Sequence, residues 1–360
     1  MKKTAHILKS FEPGGVEKWL VDITKINKNS EKKIDFHFLL QSSNPGFFAS
    51  EIKSNGGKIH SIIYSKYNFF IYLIKLFIHF KKNKYDVVHS HVYHFSGFIL
   101  LIAFFAGIPI RIAHCHNEKK DKKKSALKNL YILTCQKLID LFATKKIAVS
   151  NNSAQLFYKK FSDVLIIPCG VLFENINANL NSEPDINIRL LSVASFTHQK
   201  NHDFMLEIAN QLKIENIKFT FHWIGAGNLT TEITNKIKKY KLEDNIIVLG
   251  KRNDVHNIMA NHSDILVFPS HYEGLGLAAI ESQYYGLTTL INESLPIELD
   301  NSNYIFRIPI LNEDISQWVN LIKNNQKASQ EDISNARKKI SNSPLNAYNN
   351  FNKLLKIYSE

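Results

Sequence analysis

Short runs of apolar residues alternate with helix-like segments along the whole chain. Most of these runs are apolar throughout and are flanked by helical segments, which is typical of parallel strands buried on both faces of a sheet. The predicted strands are residues 4–8, 35–40, 58–63, 87–89, 111–115, 146–149, 165–167, 189–194, 218–225, 246–249, 265–268 and 288–291.

The strand pattern is interrupted once, by a polar, Asn-rich stretch at residues 171–185 that reads as a linker. The sequence therefore predicts an α/β protein with two doubly wound, parallel-sheet domains at residues 1–170 and 186–343. Apolar positions at helical spacing predict a last helix at about residues 344–360. Ligands of such sheets bind beyond the carboxyl ends of the strands, so we expect a cleft between the domains.

Charge is unevenly distributed over the 360 residues. Residues 1–180 hold 27 Lys and Arg against 12 Asp and Glu, a net charge of +15, whereas the remainder holds 18 against 20, a net charge of −2. This favours an anionic partner for the first half. Residues 68–80 are mostly apolar and are followed by Lys81, Lys82 and Lys84, which predicts either a helix lying on an anionic membrane or a helix packed against a sheet.

Other classes of protein and partner are disfavoured. Nucleic acid would require aromatic residues interleaved with basic ones on an exposed surface, and none is evident. Three scattered cysteines form no disulfide framework and indicate a reducing compartment. The N-terminus lacks the apolar core of a secretory signal, and no apolar run reaches the roughly 20 residues of a membrane span. A cytoplasmic protein is therefore expected.

The most informative segment follows the predicted strand at 265–268. A loop carries Glu273, Gly274 and Gly276, and a helix beginning near Leu277 carries Glu281. Glycine lets the backbone approach a ligand, and a helix N-terminus offers N–H groups to a diphosphate. Carboxylates are strong acceptors for hydroxyl donors, so this pair could bind sugar hydroxyls.

This segment resembles the E-x7-E motif of retaining enzymes in glycosyltransferase family 4, which have the two-Rossmann-domain GT-B fold. Further likenesses, in the order of that family, come closest to its capsule and exopolysaccharide enzymes. They are Pro13-Gly-Gly-Val-Glu17, Val88-His-Ser-His91, Arg111-Ile-Ala-His-Cys-His-Asn117, Ile167-Pro-Cys-Gly-Val171, Gln199-Lys-Asn201 and Leu249-Gly-Lys-Arg-Asn-Asp-Val255.

The resemblance implies a role for each matching position. Glu273 would engage the donor sugar, Glu281 the ribose, and Lys200 the diphosphate. His116, or failing that His114, would lie beside the reactive carbon as a catalytic residue. The remaining donor-binding positions are Gly14 and Gly15 on the diphosphate, Arg252 near the base, and the backbone amides of Gly274, Leu275, Gly276 and Leu277. The family also implies that the last helix crosses back to the first domain.

Two features complicate these assignments. Ala194-Ser195 stands where the family has Gly-Arg, so Lys200 must supply the countercharge alone or with a basic group from elsewhere. The fifteen histidines include the clusters His89/His91/His94, His114/His116 and His198/His202, for which zinc is one interpretation and satisfied imidazoles the expected one. No acid pair follows a strand to hold a metal-bound diphosphate, so we expect no metal and no other cofactor.

The predicted function is a retaining, metal-independent transfer of a hexose or N-acetylhexosamine from a nucleotide sugar, UDP-linked by expectation. The favoured acceptor is a lipid-diphosphate-linked saccharide at the inner face of the plasma membrane, bound by the basic half and by the lysines within 119–128. Three alternatives stay open: a nucleotide-sugar epimerase, an NAD(P)-dependent dehydrogenase suggested by Gly225-Ala-Gly227, and a donor-binding protein without transfer activity.

Overall fold

The chain forms two compact units in a computed structural model that describes residues 1–116, 125–176, 187–325 and 327–360. Unit 1 comprises Met1–Leu172 and Pro344–Glu360, and unit 2 comprises Phe173–Ser343. The basic residues Lys119 to Lys124 and linker residues 177–185 lie outside the described part of the chain.

Unit 1 is built on a seven-stranded parallel sheet with the order β3-β2-β1-β4-β5-β6-β7. The order reverses between β1 and β4, as in a doubly wound fold, and places the carboxyl ends of β1, β4 and β5 side by side. The strands are β1 Lys2–Leu8, β2 Ile34–Leu40, β3 Lys58–Ser61, β4 Val87–Ser90, β5 Ile110–Cys115, β6 Lys145–Ala148 and β7 Val164–Ile166.

The helices of unit 1 cover this sheet and include the last helix of the chain. They are α1 Gly15–Asn29, α2 Ala49–Ser54, α3 Phe69–Asn83, α4 Ser96–Phe105, α5 Ala126–Phe142, α6 Asn151–Phe157 and α13 Ala347–Ser359. Helix α13 packs against α1 and buries Phe351, Leu354 and Tyr358. The C-terminal residues thus return to the unit in which the chain began.

Unit 2 repeats the architecture with a six-stranded parallel sheet of order β10-β9-β8-β11-β12-β13. Its strands are β8 Ile188–Val193, β9 Phe219–Ile224, β10 Ile246–Gly250, β11 Ile265–Phe268, β12 Thr288–Asn292 and β13 Ile305–Ile308. Its helices are α7 His202–Ile214, α8 Thr230–Lys239, α9 Val255–His262, α10 Leu277–Tyr284, α11 Ile315–Lys323 and α12 Gln330–Ser341. Because β8 pairs with β11, the loops that follow these two strands are neighbours.

The predicted fold class is confirmed, and all twelve predicted strands form with ends shifted by at most two residues. Strand β13 was not predicted, because its short apolar sequence is interrupted by Arg307. That arginine is compatible with a strand because β13 lies at the edge of the sheet, where Arg307 pairs with Asp300. Charged side chains are common on edge strands, which expose one side to water.

Helix α3 confirms the interpretation of residues 68–80 as a helix packed against a sheet, and the interpretation as a helix lying on a membrane stays a prediction. Tyr72, Leu76 and Phe80, four residues apart, are buried against the sheet. The outward side is also apolar, with exposed fractions of 76% for Phe70 and 60% for Ile74. Among the described residues, no helix has the length and hydropathy that crossing a bilayer requires.

Candidate active site

Two loops of unit 2 bring together residues that lie far apart in the sequence. Lys200 follows β8 and Glu273 follows β11, and their side chains form an ion pair between Nζ and Oε1. Both are largely buried, with side-chain exposures of 16% and 9%. The two loops are joined by the Gln199 Nε2 donation to the Tyr272 carbonyl at 2.8 Å and the His271 N–H donation to the Gln199 carbonyl at 2.9 Å. The loop bearing Glu273 is therefore held in place by backbone contacts as well as by charge.

Helix α10 begins where the sequence predicts it, at Leu277. Gly276 precedes it with φ of 92°, in the left-handed region that favours glycine, and a Cβ there would lie 3.3 Å from the Phe268 ring. Gly274, Leu275 and Gly276 are buried around this turn. The N-terminus of α10 and the Lys200 ammonium, which also lies 5.2 Å from the Phe268 ring centre, thus both adjoin the turn that holds Glu273.

Glu281 lies on α10 and is 8% exposed. Its Oε1 is 3.5 Å from Nε2 of His256, which is on α9, the helix after β10. Sequence reasoning missed His256. The available signal was its place in the first turn of the helix after the Leu249–Val255 motif, but the contact with Glu281 depends on how α9 and α10 pack.

Arg252, predicted near the base, forms a bidentate ion pair with Asp254 at 2.8 and 2.6 Å. Both side chains are 43% exposed. The described contacts do not join Arg252 to Glu273, Glu281 or Lys200. Its assignment to the donor base stays a prediction.

The glycines Gly225 and Gly227 have a packing explanation. A Cβ on Gly225 would lie 1.9 Å from the Ala194 carbonyl oxygen, and one on Gly227 would lie 2.3 Å from the Phe196 carbonyl oxygen. Side chains at either position would collide with the loop after β8. These glycines are thus needed to pack one loop on another, which removes the feature that suggested a dinucleotide.

The second group of predicted residues lies in unit 1, at the carboxyl ends of β1, β4 and β5. The turn from β1 into α1 carries Gly14 and Gly15, and the carboxyl group of Glu17 lies over Gly14. Burial raises the pKa of Glu17 to about 7. This glutamate is therefore partly protonated near neutral pH.

Five imidazoles fill the space beside these strand ends. Nδ1 of His6 is 2.9 Å from Nε2 of His91, and Nδ1 of His91 is 2.8 Å from Nε2 of His116. These two contacts make one row of rings, His6–His91–His116. In a second row, Nε2 of His89 is 3.1 Å from Nδ1 of His114. The hydrogen bonds run diagonally because side chains two residues apart on neighbouring parallel strands point to the same face.

Burial keeps these rings uncharged. It lowers the pKa of His6 and of His116 to about 3 and holds the pKa values of His89, His91 and His114 well below the usual range. His114 is 1% exposed, whereas His116 and His91 retain part of their surface. Of the two predicted catalytic histidines, His116 is thus the accessible one, and its assignment stays a prediction.

Helix α13 closes this cluster within unit 1. The Tyr358 hydroxyl is 2.6 Å from His89 Nδ1, and the Trp19 indole N–H donates to Asn350 Oδ1 at 2.7 Å. Asn350 in turn donates to the Pro168 carbonyl at 2.5 Å. The order of the imidazole rows therefore depends on a helix that lies more than 180 residues beyond Pro168 in the sequence.

Comparisons with known proteins agree with this architecture. The family model "Glycosyltransferase Family 4" matches residues 13–174, and "Glycosyl transferases group 1" matches residues 174–339. The capsular polysaccharide biosynthesis glycosyltransferase CapH of Staphylococcus aureus is 31% identical over 299 residues, which is 79% of each chain.

Two further likenesses concern a relative and a solved structure. The UDP-Gal:alpha-D-GlcNAc-diphosphoundecaprenol alpha-1,3-galactosyltransferase of Escherichia coli is 28% identical over 242 residues, 61% of each chain. The crystal structure of Anabaena Alr3699/HepE in complex with UDP-glucose superposes with a TM-score of 0.79 at 17% identity and covers 100% of both chains. The structural likeness shows the fold.

Proposed function

This chain belongs to glycosyltransferase family 4, and from that premise we propose that it transfers a hexose or N-acetylhexosamine from a UDP-sugar to a saccharide during bacterial surface polysaccharide synthesis. The single observation that carries the donor assignment is the buried Lys200–Glu273 pair at the N-terminal turn of α10. It supplies a cation for a diphosphate and a carboxylate for sugar hydroxyls at the same turn.

The donor is proposed to bind by exchanging partners within this pair. The diphosphate takes the Lys200 ammonium and the N–H groups of the α10 N-terminus, which carry partial positive charge. Glu273, released from Lys200, accepts hydrogen bonds from the sugar, and Glu281 accepts those of the ribose. Positive charge aimed at the departing diphosphate stabilises the transition state as the sugar–phosphate bond breaks.

We propose retention of configuration, with the departing phosphate oxygen taking the proton of the acceptor hydroxyl on the same face of the sugar. Glu273 positions the sugar in this scheme and is not a covalent nucleophile. Lys200 and the helix N-terminus supply the charge that a divalent cation provides in other transferases, so the transfer is proposed to be metal-independent.

The proposed acceptor is a saccharide linked to a lipid diphosphate, the acceptor class that the name of the Escherichia coli relative gives. Such an acceptor lies in a membrane, and unit 1 has a surface suited to one. We define this apolar helix face as the exposed apolar side chains of α3, α4 and α5, where α4 packs between the other two. Its members are Phe70, Ile71, Ile74, Ile78, Phe104, Phe105, Leu127, Leu130, Leu133 and Leu141.

Charge around this face suits an anionic lipid surface. Helix α3 carries no acidic residue, and Lys75, Lys81 and Lys82 on it are exposed. Insertion of apolar side chains and attraction of lysines to anionic lipids add in interfacial binding, at about 1 kcal/mol per basic residue near the surface. We propose that unit 1 places the enzyme on the inner face of the plasma membrane, where the acceptor is found.

A transfer assay tests the reaction. Purified enzyme is incubated with single UDP- and GDP-sugars and a lipid-diphosphate GlcNAc acceptor, with and without chelator, and the anomeric configuration of the product is determined by NMR. We expect transfer from a UDP-sugar, an α-linked product from an α-linked donor, and undiminished turnover in chelator. Inversion, or loss of turnover in chelator that Mn²⁺ restores, would contradict the mechanism.

The same assay separates the alternatives. An epimerase would consume the UDP-sugar without acceptor, and a donor-binding protein would raise its melting temperature with UDP but form no product. Membrane binding is tested by vesicle flotation. Ile74→Glu should reduce flotation with anionic vesicles, whereas Ile297→Glu, at an exposed isoleucine of unit 2, should not. Equal flotation of both variants would contradict the proposed surface.

A further inference from the structure

The imidazole cluster of unit 1, which includes the predicted catalytic residue His116, contains three nitrogen atoms that lie close enough together to hold one cation. One ring nitrogen from each of His91, His114 and His116 lies within 4.8 Å of the other two. Within the described part of the chain, the side-chain hydrogen-bond partners of these three rings are other imidazoles and the Cys169 thiol. An uncharged imidazole has one nitrogen lone pair that a cation can take.

We propose that His91, His114 and His116 form a binding site for a transition-metal cation of the Zn²⁺, Co²⁺ or Ni²⁺ type. Imidazole nitrogen suits these cations, whereas Mg²⁺ and Ca²⁺ require oxygen ligands. Three histidines are a known ligand set for zinc, with a further position left to water. The site lies in unit 1, and because it includes the predicted catalytic residue His116, the metal-independent transfer would be carried out by the protein with this site empty.

The distances within the group suit this chemistry. Nitrogen ligands of tetrahedral zinc are roughly 3.3 Å apart, given Zn–N bonds of about 2.0 Å. His91 Nδ1 and His116 Nε2 are 2.8 Å apart and share one hydrogen bond. For both nitrogens to bind a cation, the proton of the donor ring would move to that ring's other nitrogen, so that each ring stays neutral and offers one lone pair. The ring centres of His114 and His116 are 4.0 Å apart.

The rings of His91 and His116 are each held by a neighbouring group through the nitrogen that is not in the His91–His116 hydrogen bond. His6 Nδ1 is 2.9 Å from Nε2 of His91, and Cys169 Sγ is 3.5 Å from Nδ1 of His116. Partners of this kind fix the orientation of metal-binding histidines. The ligand arrangement is therefore largely formed before a cation arrives.

A second group of nitrogens, from His6, His89 and His91, meets the same distance limit. We favour the first group because two of its three members, His91 and His116, keep exposed surface through which a cation can enter, whereas in the second group only His91 does. His6 and His89 are 0% exposed, and no such entry is evident for a site made of them.

Metal titration of the untagged full-length chain tests the proposal, after treatment with chelator and desalting. We expect one Co²⁺ per chain with the visible absorption bands of a nitrogen-ligated site, displacement by Zn²⁺ but not by Mg²⁺, and a higher melting temperature with Zn²⁺. His91→Gln and His116→Gln should each weaken binding by more than about tenfold. His60→Gln, which alters a separate histidine pair with His37, is the control and should bind as the wild type does.

Absence of stoichiometric Co²⁺ binding to the wild type would overturn the proposal, as would equal binding by the His91→Gln and His116→Gln variants. Circular dichroism in chelator establishes whether each variant folds. If a variant does not fold, X-ray absorption spectroscopy of the zinc-loaded wild type decides, since three imidazole ligands support the site and a shell of oxygen ligands excludes it.

Discussion

The two groups of predicted site residues use opposite electrostatic designs. In unit 2 the polar side chains are charged and paired with each other, as Lys200 is with Glu273. In unit 1 the polar side chains at the strand ends are imidazoles that burial keeps uncharged, as the lowered pKa values of His6 and His116 indicate. Both groups lie at the carboxyl ends of parallel strands, so the same position in a fold supports either design.

This difference indicates how each region responds to a ligand. A buried ion pair attracts an anion only if the anion replaces the carboxylate, so the diphosphate has to compete with Glu273 for Lys200. Uncharged imidazoles offer hydrogen bonds and lone pairs without such competition. Unit 2 is thus suited to an ionic ligand, and unit 1 to hydroxyl groups or a metal cation.

The largest expected effect is a loss of transfer activity when Glu273 of unit 2 is replaced. Glu273→Ala removes the carboxylate that positions the sugar, and we expect turnover to fall by about 10²–10³-fold, the range seen when one preorganised polar contact to a transition state is lost. Initial rates of sugar transfer measure it. The control is Glu243→Ala, which alters an exposed glutamate of the same unit and should leave turnover unchanged. A Glu273→Ala enzyme of normal rate would remove Glu273 from the site.

The next effect is a loss of stability when the Lys200–Glu273 ion pair is broken. Lys200→Met leaves the Glu273 carboxylate largely buried without its cation, so the free energy of unfolding should fall by about 3 kcal/mol. The double variant Lys200→Met/Glu273→Gln removes both charges and should recover most of this stability without recovering activity. Urea denaturation gives the three values. If the double variant is no more stable than Lys200→Met, the loss of stability does not come from an unpaired Glu273 carboxylate.

The exposed Arg252–Asp254 ion pair offers a matched control for that experiment. Arg252→Met removes the partner of Asp254 at the surface, where water solvates the remaining carboxylate, and we expect no measurable loss of stability. A loss comparable with that of Lys200→Met would show that burial does not account for the difference.

The last effect is on the pH dependence of the stability of unit 1. The histidine pKa values are lower in the folded than in the unfolded chain, so unfolding takes up protons and stability falls as pH drops below about 6.5. With a folded pKa of about 3, each of His6 and His116 removes about 2 kcal/mol between pH 6.5 and pH 5. Glu17 has the opposite effect. Its pKa is raised to about 7 in the folded chain, so this one group increases stability as the pH falls below 7.

Amide exchange measured at pH 7 and pH 5, corrected for the intrinsic rate, resolves this prediction by region. We expect protection to decrease more in β4 and β5 than in β11 and β12. His6→Phe should reduce the pH dependence in unit 1, because it removes one buried titrating ring next to Phe36 and Phe38. An unchanged pH dependence in that variant would mean that His6 is protonated equally in both states.

The sequence by itself determined the elements and the family. Among the described residues, apolar runs identified twelve of the thirteen strands, and the loop with Gly274 and Gly276 after β11 located the start of α10, because both signals come from residues adjacent in the sequence. The strand that was missed, β13, has only four residues, and Arg307 interrupts its apolar run.

Only the tertiary structure decided which of the side chains meet. Lys200 and Glu273 are 73 positions apart and pair because β8 and β11 are neighbours in the sheet, which no local pattern encodes. The same holds for the contacts of His91 with His116 and of Glu281 with His256. It also holds for α3, because the sequence does not distinguish the apolar residues that this helix exposes from those that it buries. Local periodicity is set by covalent geometry, but partners distant in sequence are set by strand order and helix packing.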